Sequence, residues 1–523
     1  MSKPTSNALK SRRILPTPWF SMRALFMGVT LVLFCFATGF LNHSSFGSAD
    51  YSVGGSDQSV IRLGWESGSM KPWSVDRSLT APPIGWGVRK IGADSVWAAG
   101  VRGAGVVVAV LGTGVRYTHT DLASHLWTND DEIPDNGVDD DSNGYVDDYI
   151  GYDFVHMDGD PMDDVGHGTV VAGLVLGDGR AGYSTGVAPE AELMSLKVCA
   201  GGSCFLAQIW QAIYYAASEG ADIICIPLGW YDGDRDMWRR TCKTLTDLFG
   251  VLFVSGTGYP VLPHSVPMPA AIPPPWLHPD QTLRGEPAGL ITAAPTDSLD
   301  YYSGKEIGPA VWVDFPYVPG DPDLIGLIKP DLTAPGVRLV SLDYRSDTGY
   351  VEASGCYGIE HVAGAAALIR SALPSFTPAE IDSVLEMTAM DLGALGKDNF
   401  YGAGRVDVWA AYQYCVPGIE EETRRDTHGR LLEAARLVCS PNPSFGPVAI
   451  SYAVDSPGPI TIQMFDLAGR PRQEILATNP TSGQGTIHWN GRDRSGHKLP
   501  SGIYFVRLTT ERTSTSAKVV LMN

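Results

Sequence analysis

Residues 351–371 read V-E-A-S-G-C-Y-G-I-E-H-V-A-G-A-A-A-L-I-R-S. From His361 onward the run is small and apolar on every side, which predicts a buried helix rather than an amphipathic surface one. Ahead of it, Ser354-Gly355 makes a turn that hands a residue to the helix N-terminus. There, unpaired N–H groups and the helix dipole favour negative charge developing on a reacting atom. The residues available at that place are Cys356 and Tyr357.

The segments upstream alternate strand and helix patterns. Residues 106–111 (V-V-V-A-V-L), 221–229 (A-D-I-I-C-I-P-L-G) and 250–259 (G-V-L-F-V-S-G-T-G-Y) are apolar runs that end in glycine-containing turns. Continuous apolar strands between helices predict an α/β fold, a parallel sheet with helices on both faces. Such sheets place their sites at the carboxyl ends of the strands.

Taken together, these segments resemble the subtilisin-like serine peptidases, the subtilases, over residues 86–415. The family's nucleophile segment runs Ser-Gly-Thr-Ser-Met-Ala-x-Pro-His-Val-Ala-Gly, and this chain is one residue short of it. Counting back from His361 puts Cys356 at the nucleophile; counting forward from Ser354 puts Tyr357 there. Residues 166–173 (G-H-G-T-V-V-A-G) match the histidine segment, with His167 as the base and Val170 in place of a second His. Gly112 stands where the family has the Asp that orients that base. The next residues, V-R-Y-T-H-T-D-L (115–122), keep the family pattern, so Asp121 is not a displaced catalytic Asp. Tyr259 takes the place of the oxyanion Asn. Pro227-Leu228-Gly229 matches the substrate-binding Ser-Leu-Gly edge, keeping Leu228 and Gly229 but losing one N–H donor to proline. K-P-D-L-T-A-P-G (329–336) and T-P-A-E-I-D-S-V-L (377–385) match the segments before and after the nucleophile helix.

The formal charge of −20 excludes nucleic acid as the main partner, and it is concentrated. Residues 130–164 hold fourteen Asp and Glu with no Lys or Arg, leaving −6 for the rest. Within them Asp139, Asp141, Asn143, Tyr145 and Asp147 fall at positions 1, 3, 5, 7 and 9 of an EF-hand-like loop, around Gly144 at position 6. Ile150 replaces the closing Glu, so Asp148, Asp153 or water would complete a calcium shell. The resemblance implies calcium too, since subtilases bind it in surface loops. A solvated acidic loop is the alternative.

The N-terminus reads as an export signal. Lys and Arg precede an apolar run over 24–41, and Gly47-Ser48-Ala49 suits cleavage; a retained anchor is the alternative. Residues 50–85 show no regular pattern and leave no room for the pro-domain that the resemblance implies. Outside the signal, seven cysteines remain. Cys199 and Cys204 are close enough to pair, and Cys415 with Cys439 form a second candidate pair across a charged linker at 416–436.

From residue 437 short alternating runs between Gly, Pro and Asn turns predict a small all-β sandwich. Asn442-Pro443, Trp489-Asn490-Gly491 and Ser501-Gly502-Ile503-Tyr504 resemble immunoglobulin-like modules that sort or attach proteins of type IX secretion. A plain spacer is the alternative. The expectation is an exported bacterial protein, extracellular or on the cell surface, engaging the cell envelope or secretion machinery through this domain. With the nucleophile, orienter and oxyanion positions all altered, it reads as a pseudopeptidase that binds peptide or protein. Two rivals stand beside it: an active Cys356–His167 dyad, and a structural calcium-bound surface protein.

Overall fold

A computed structural model gives the architecture. It describes residues 60–62, 71–73, 83–201, 203–231, 233–258, 266–281, 285–302, 306–355, 357–416, 436–440, 444, 446–453, 460–466, 471–477, 484–500, 502–509 and 514–521. The export segment, Cys356, Tyr259 and nearly all of the 416–436 linker lie outside these residues.

Seven strands make the central sheet: β1 (Val107–Gly112), β2 (Gly151–Asp153), β3 (Glu192–Lys197), β4 (Ile223–Ile226), β5 (Leu252–Gly256), β6 (Leu290–Thr296) and β7 (Leu332–Pro335). Their order is β7-β6-β5-β4-β1-β3-β2, and every neighbouring pair is parallel. After β1 the chain lays down the edge strand β2, fills the gap with β3, and then returns to place β4 on the other flank of β1. In parallel sheets such a reversal marks where sites lie, here at the carboxyl ends of β1 and β4.

The described helices are α1 (Trp86–Lys90), α2 (Ala93–Ala98), α3 (His167–Leu176), α4 (Leu206–Ser218), α5 (Arg235–Phe249), α6 (Gly358–Ala372), α7 (Pro378–Thr388) and α8 (Val408–Cys415). Strand alternation explains why both faces are covered. Val108 and Val110 of β1 join one apolar cluster with α3 and α6, while Ala109 and Leu111 join another with α4 and α5. Ile223 and Cys225 of β4 divide from Ile224 and Ile226 in the same way. Successive side chains point to opposite faces, so an uninterrupted apolar strand needs burial on both.

The helix predicted from His361 onward is α6, buried from Gly358 through Ile369. Its small residues let neighbours approach. A Cβ on Gly364 would lie 2.5 Å from Val187 Cβ, and one on Gly358 would lie 2.8 Å from the Ala294 carbonyl oxygen. The T-P-A-E start of α7 forms a capping box: Thr377 and Glu380 satisfy each other's backbone N–H groups, with Pro378 in the first turn.

Two expectations need correction. The 50–85 segment is not wholly irregular: Val60–Arg62 pairs antiparallel with Ser203–Phe205, and Lys71–Trp73 with Tyr350–Ala353. Strands of three residues are too short to carry a period, and their partners lie far along the chain. Cys199 and Cys204 are disulfide-bonded across a hairpin, but Cys415 and Cys439 are both free thiols. Burial pushes each of those two thiols up to about 12. Flanking one linker in sequence does not set the geometry that a bridge needs.

The C-terminal strands form two antiparallel sheets. One holds Arg436–Ser440, Val448–Ala453 and Gln484–Trp489; the other holds Ile460–Asp466, Pro471–Ala477, Gly502–Thr509 and Ser514–Leu521. Alternate residues such as Ile450, Ile462, Met464, Trp489 and Val506 meet in one apolar core, as the all-β expectation requires.

Candidate functional site

The candidate site is built from the carboxyl end of β1 and the N-termini of α3 and α6. His167 is the first residue of α3 and is 3% exposed. Burial lowers its pKa to about 4, so the imidazole is neutral near pH 7. Tyr357 is the N-cap residue of α6, is 1% exposed, and sets its ring 6.0 Å from the His167 ring at a 30° tilt. A buried phenol therefore stands beside the His167 imidazole where the helix presents its first residues. Cys356, the other candidate at this turn, lies outside the described residues.

Gly112 ends β1. A Cβ there would touch only the Gly168 Cα, at 3.7 Å, so the position has room for a side chain but carries none. The carboxylate at this end of the sheet is Asp163, which the sequence reading did not single out. It accepts from Thr113 Oγ1 (2.8 Å), Val165 N (3.0 Å), Gly166 N (2.7 Å), Thr169 N (2.9 Å) and Thr169 Oγ1 (2.5 Å). Thr113 Oγ1 in turn accepts from Gly168 N at 2.9 Å. Burial raises the Asp163 pKa against these donors. Its work is to cap α3 and tie it to β1. An Asp a few residues before a helix-starting Gly-His was the available signal.

At the substrate edge Leu228 is 3% exposed and Gly229 is exposed. The next residue, Trp230, already exchanges backbone hydrogen bonds with Met268 of the same chain, at 2.8 and 2.6 Å. The open edge is therefore short. Tyr259, after Thr257-Gly258 at the end of β5, lies outside the described residues.

Glu360 holds the family's proline position, in the first turn of α6, so the helix start survives the change. It is 1% exposed, and among the described residues neither carboxylate oxygen has a hydrogen-bond partner. Burial raises its pKa to about 8. His361 beside it is buried, lowered to about 4 by desolvation, and so close to α1 that a Cβ on Gly87 would lie 2.3 Å from its Nε2.

In the acidic loop one carboxylate oxygen each from Glu132, Asp139 and Asp141 lie within 4.8 Å of one another. Asn143 donates its side-chain N–H to Asp141 Oδ2 (3.1 Å) and Asp148 Oδ2 (3.0 Å). The Tyr145 ring packs edge-on against Tyr152, Phe154 and Tyr215. Asp147, also in the ligand set read from spacing, serves a turn. It sits at φ 55°, and its carboxylate accepts from Asn136 N (2.8 Å) and Gly137 N (3.0 Å). Glu132, outside the loop pattern, is buried beside Asp139 and Asp141.

The chain is 28% identical to subtilisin DY of Bacillus licheniformis over 336 residues, 64% of this chain and all of that protein. It is 28% identical to halolysin of Haloferax mediterranei over 61% of this chain and 51% of that one. To subtilisin-like protease 1 of Plasmodium berghei it is 27% identical over 59% and 50%. It thus spans about half the length of the latter two. Residues 440–522 match a secretion system C-terminal sorting domain, which marks the chain for export to the cell surface or extracellular space. Residues 103–404, more than half of the chain, match the subtilase family model; on this ground and on the sheet order, this protein belongs to the subtilase family.

Proposed function

We propose that this exported subtilase has lost peptidase chemistry and keeps the scaffold to bind peptide or protein segments. The observation that carries the reading is the buried Tyr357 ring against a buried, neutral His167. Acyl transfer needs a nucleophile, a base, an orienter for the base and oxyanion donors. Gly112 supplies no orienter, and Tyr259 stands at the place of the oxyanion Asn. A base serves best when its pKa is near the working pH, and one near 4 is a poor proton acceptor at neutrality. The same burial disfavours the imidazolium that a Cys356 thiolate would need beside it. Gly229 is the exposed remnant where an extended segment would add to the edge.

Loss of an orienter alone drops rate about 10⁴-fold, and loss of one oxyanion donor about 10²–10³-fold, though such losses do not add. Purified protein is therefore expected to cleave casein at background rate, with His167→Ala and Cys356→Ser indistinguishable from wild type. Turnover that vanishes in both variants would sink the proposal and establish the cysteine dyad.

A purely structural surface role is the second reading. The burial of Leu228 and the Trp230–Met268 pairing favour it, because both take up edge that a ligand would use. Labelled casein peptides separate the two: saturable binding weakened by Gly229→Pro supports the binding role, and absence of binding supports the structural one.

A further inference from the structure

Two surface features outside the peptidase site are complementary to each other. The first is an open hollow of about 590 Å³ lined by Pro83, Ile84, Trp86, Arg89, Lys90 and Tyr183. Its aromatic walls are fixed. Trp86 Nε1 donates to the Arg338 carbonyl at 2.9 Å, and the Tyr183 ring meets Tyr350 edge-on at 6.0 Å. Lys90 is engaged by Asp300 (3.0 Å) and the Ser298 carbonyl (3.1 Å). Arg89 is exposed, and among the described residues its guanidinium makes no hydrogen bond or ion pair. An unmatched guanidinium over an apolar hollow suits a carboxylate that has aliphatic groups beside it.

The second feature is the tip of the acidic loop. Ile133 and Val138 are 60% and 51% exposed, and Asp135 between them is exposed as well. Among the described residues the Asp135 carboxylate makes no hydrogen bond or ion pair. The backbone on either side is pinned: Ile133 N donates to Asp140 Oδ2 (3.1 Å), Gly137 N to Asp147 Oδ2 (3.0 Å) and Val138 N to Asn136 Oδ1 (2.7 Å). Two aliphatic side chains and a carboxylate are thus held out on a braced turn, with little backbone order left to lose on binding.

We propose that the protein associates with itself head to tail: the Ile133–Val138 tip of one copy seats in the Trp86–Tyr183 hollow of the next, with Asp135 against Arg89. Charge selects this occupant. In a chain of net charge −20, the hollow offers an unmatched cation and the tip an unmatched anion. One chain cannot join the two. Trp86 and Tyr183 pack on the cluster of α3 and α6, whereas Tyr145 of the acidic loop packs on the cluster of α4 and α5, across the sheet. A contact between two different patches repeats from copy to copy, into a ring or a filament. It is small and therefore weak, and it is populated where copies stand at high local concentration, as on a cell surface. Nothing in it depends on the fate of the peptidase site.

The test is sedimentation equilibrium of the exported protein over rising concentration, in low and in high salt. The mean mass is expected to rise with concentration, and to rise less in high salt, which screens the Arg89–Asp135 pair. Both residues are exposed and unpaired, so reversing either charge should leave folding intact. Arg89→Glu and Asp135→Arg should each weaken association at least ten-fold, because like charges then face each other. An equimolar mixture of the two variants should regain it, since the reversed hollow then meets the reversed tip. Leu395→Ser, at a fully exposed apolar residue outside both features, should change nothing. A wild type that stays monomeric up to about 1 mM overturns the proposal. So does either reversal that associates like wild type, a mixture that fails to recover, or a Leu395→Ser variant as weak as Arg89→Glu.

Discussion

Glu360→Met is expected to stabilise the protein by an amount that grows from little at pH 4.5 to about 5 kcal/mol near pH 8. Glu360 is fully buried, and neither of its oxygens has a partner among the described residues, so the fold holds the carboxyl neutral. Its folded pKa is raised from 4.5 to about 8. Between those values the folded state binds a proton that the unfolded state has released, so stability falls as pH rises. Each pH unit in the window removes about 1.4 kcal/mol, and Met, which has no proton to hold, escapes the loss. Denaturant unfolding of both proteins from pH 4.5 to 8.5 measures it; parallel stability curves would refute it. The result bears on function. A carboxyl with so shifted a pKa beside a cleft is ordinarily a candidate for catalysis. Here it lies near Cys225 of β4, whose thiol burial pushes well up, and a gain in stability on its removal would mark it as a cost of remodelling the nucleophile turn.

Most of the fold was legible because its signals are local. Uninterrupted apolar strands such as 106–111 require two covered faces, and a small-residue helix such as α6 requires close neighbours. The positions Gly112, His167 and Leu228-Gly229 were legible as places in a pattern, and the structure puts Gly112 beside the start of α3, where His167 stands. What sequence could not carry was environment. Nothing in G-H-G-T says that His167 is buried with a pKa near 4, since the desolvation comes from elements remote in the chain. Nor does spacing distinguish Asp147, whose oxygens go to a turn ten residues upstream, from Asp139 and Asp141. Glu132 escaped notice for the complementary reason: its partners lie seven and more residues on, outside any short motif.

The same limit governs a buried charge network, and it yields the second prediction. K-P-D-L-T-A-P-G marks Lys329 and Asp331 as neighbours, and Lys329 Nζ does bond Asp331 Oδ2 at 2.6 Å with both side chains fully buried. Invisible from that motif is Lys397, whose Nζ donates to Asp331 Oδ1 (3.0 Å) and to Glu386 (3.0 and 2.9 Å). Burial alone would strip the Lys397 proton, but Glu386 and Asp331 outweigh it and hold the ammonium charged. Asp382 nearby is pushed well above the usual carboxylate range by burial and by Glu386, so it stays protonated. Burial raises Glu386 itself to about 7, and Lys397 is the charge that pulls it back towards the ionised form, so the two ammonium groups face Asp331 and a Glu386 held ionised mainly by Lys397. Lys397→Met removes one cation and leaves Glu386 buried beside Asp331 without its partner. Breaking a buried pair in this way costs about 3–5 kcal/mol, because the charge left behind has no water to turn to. Lys397→Met with Glu386→Leu removes both charges and should recover a large part of that loss, whereas independent sites would simply add. Urea unfolding of the two variants at pH 7 gives both numbers. A single-variant loss under 1 kcal/mol, or a double variant worse than the single, would show that the network is solvated and that β7 is not braced by residues beyond its own motif.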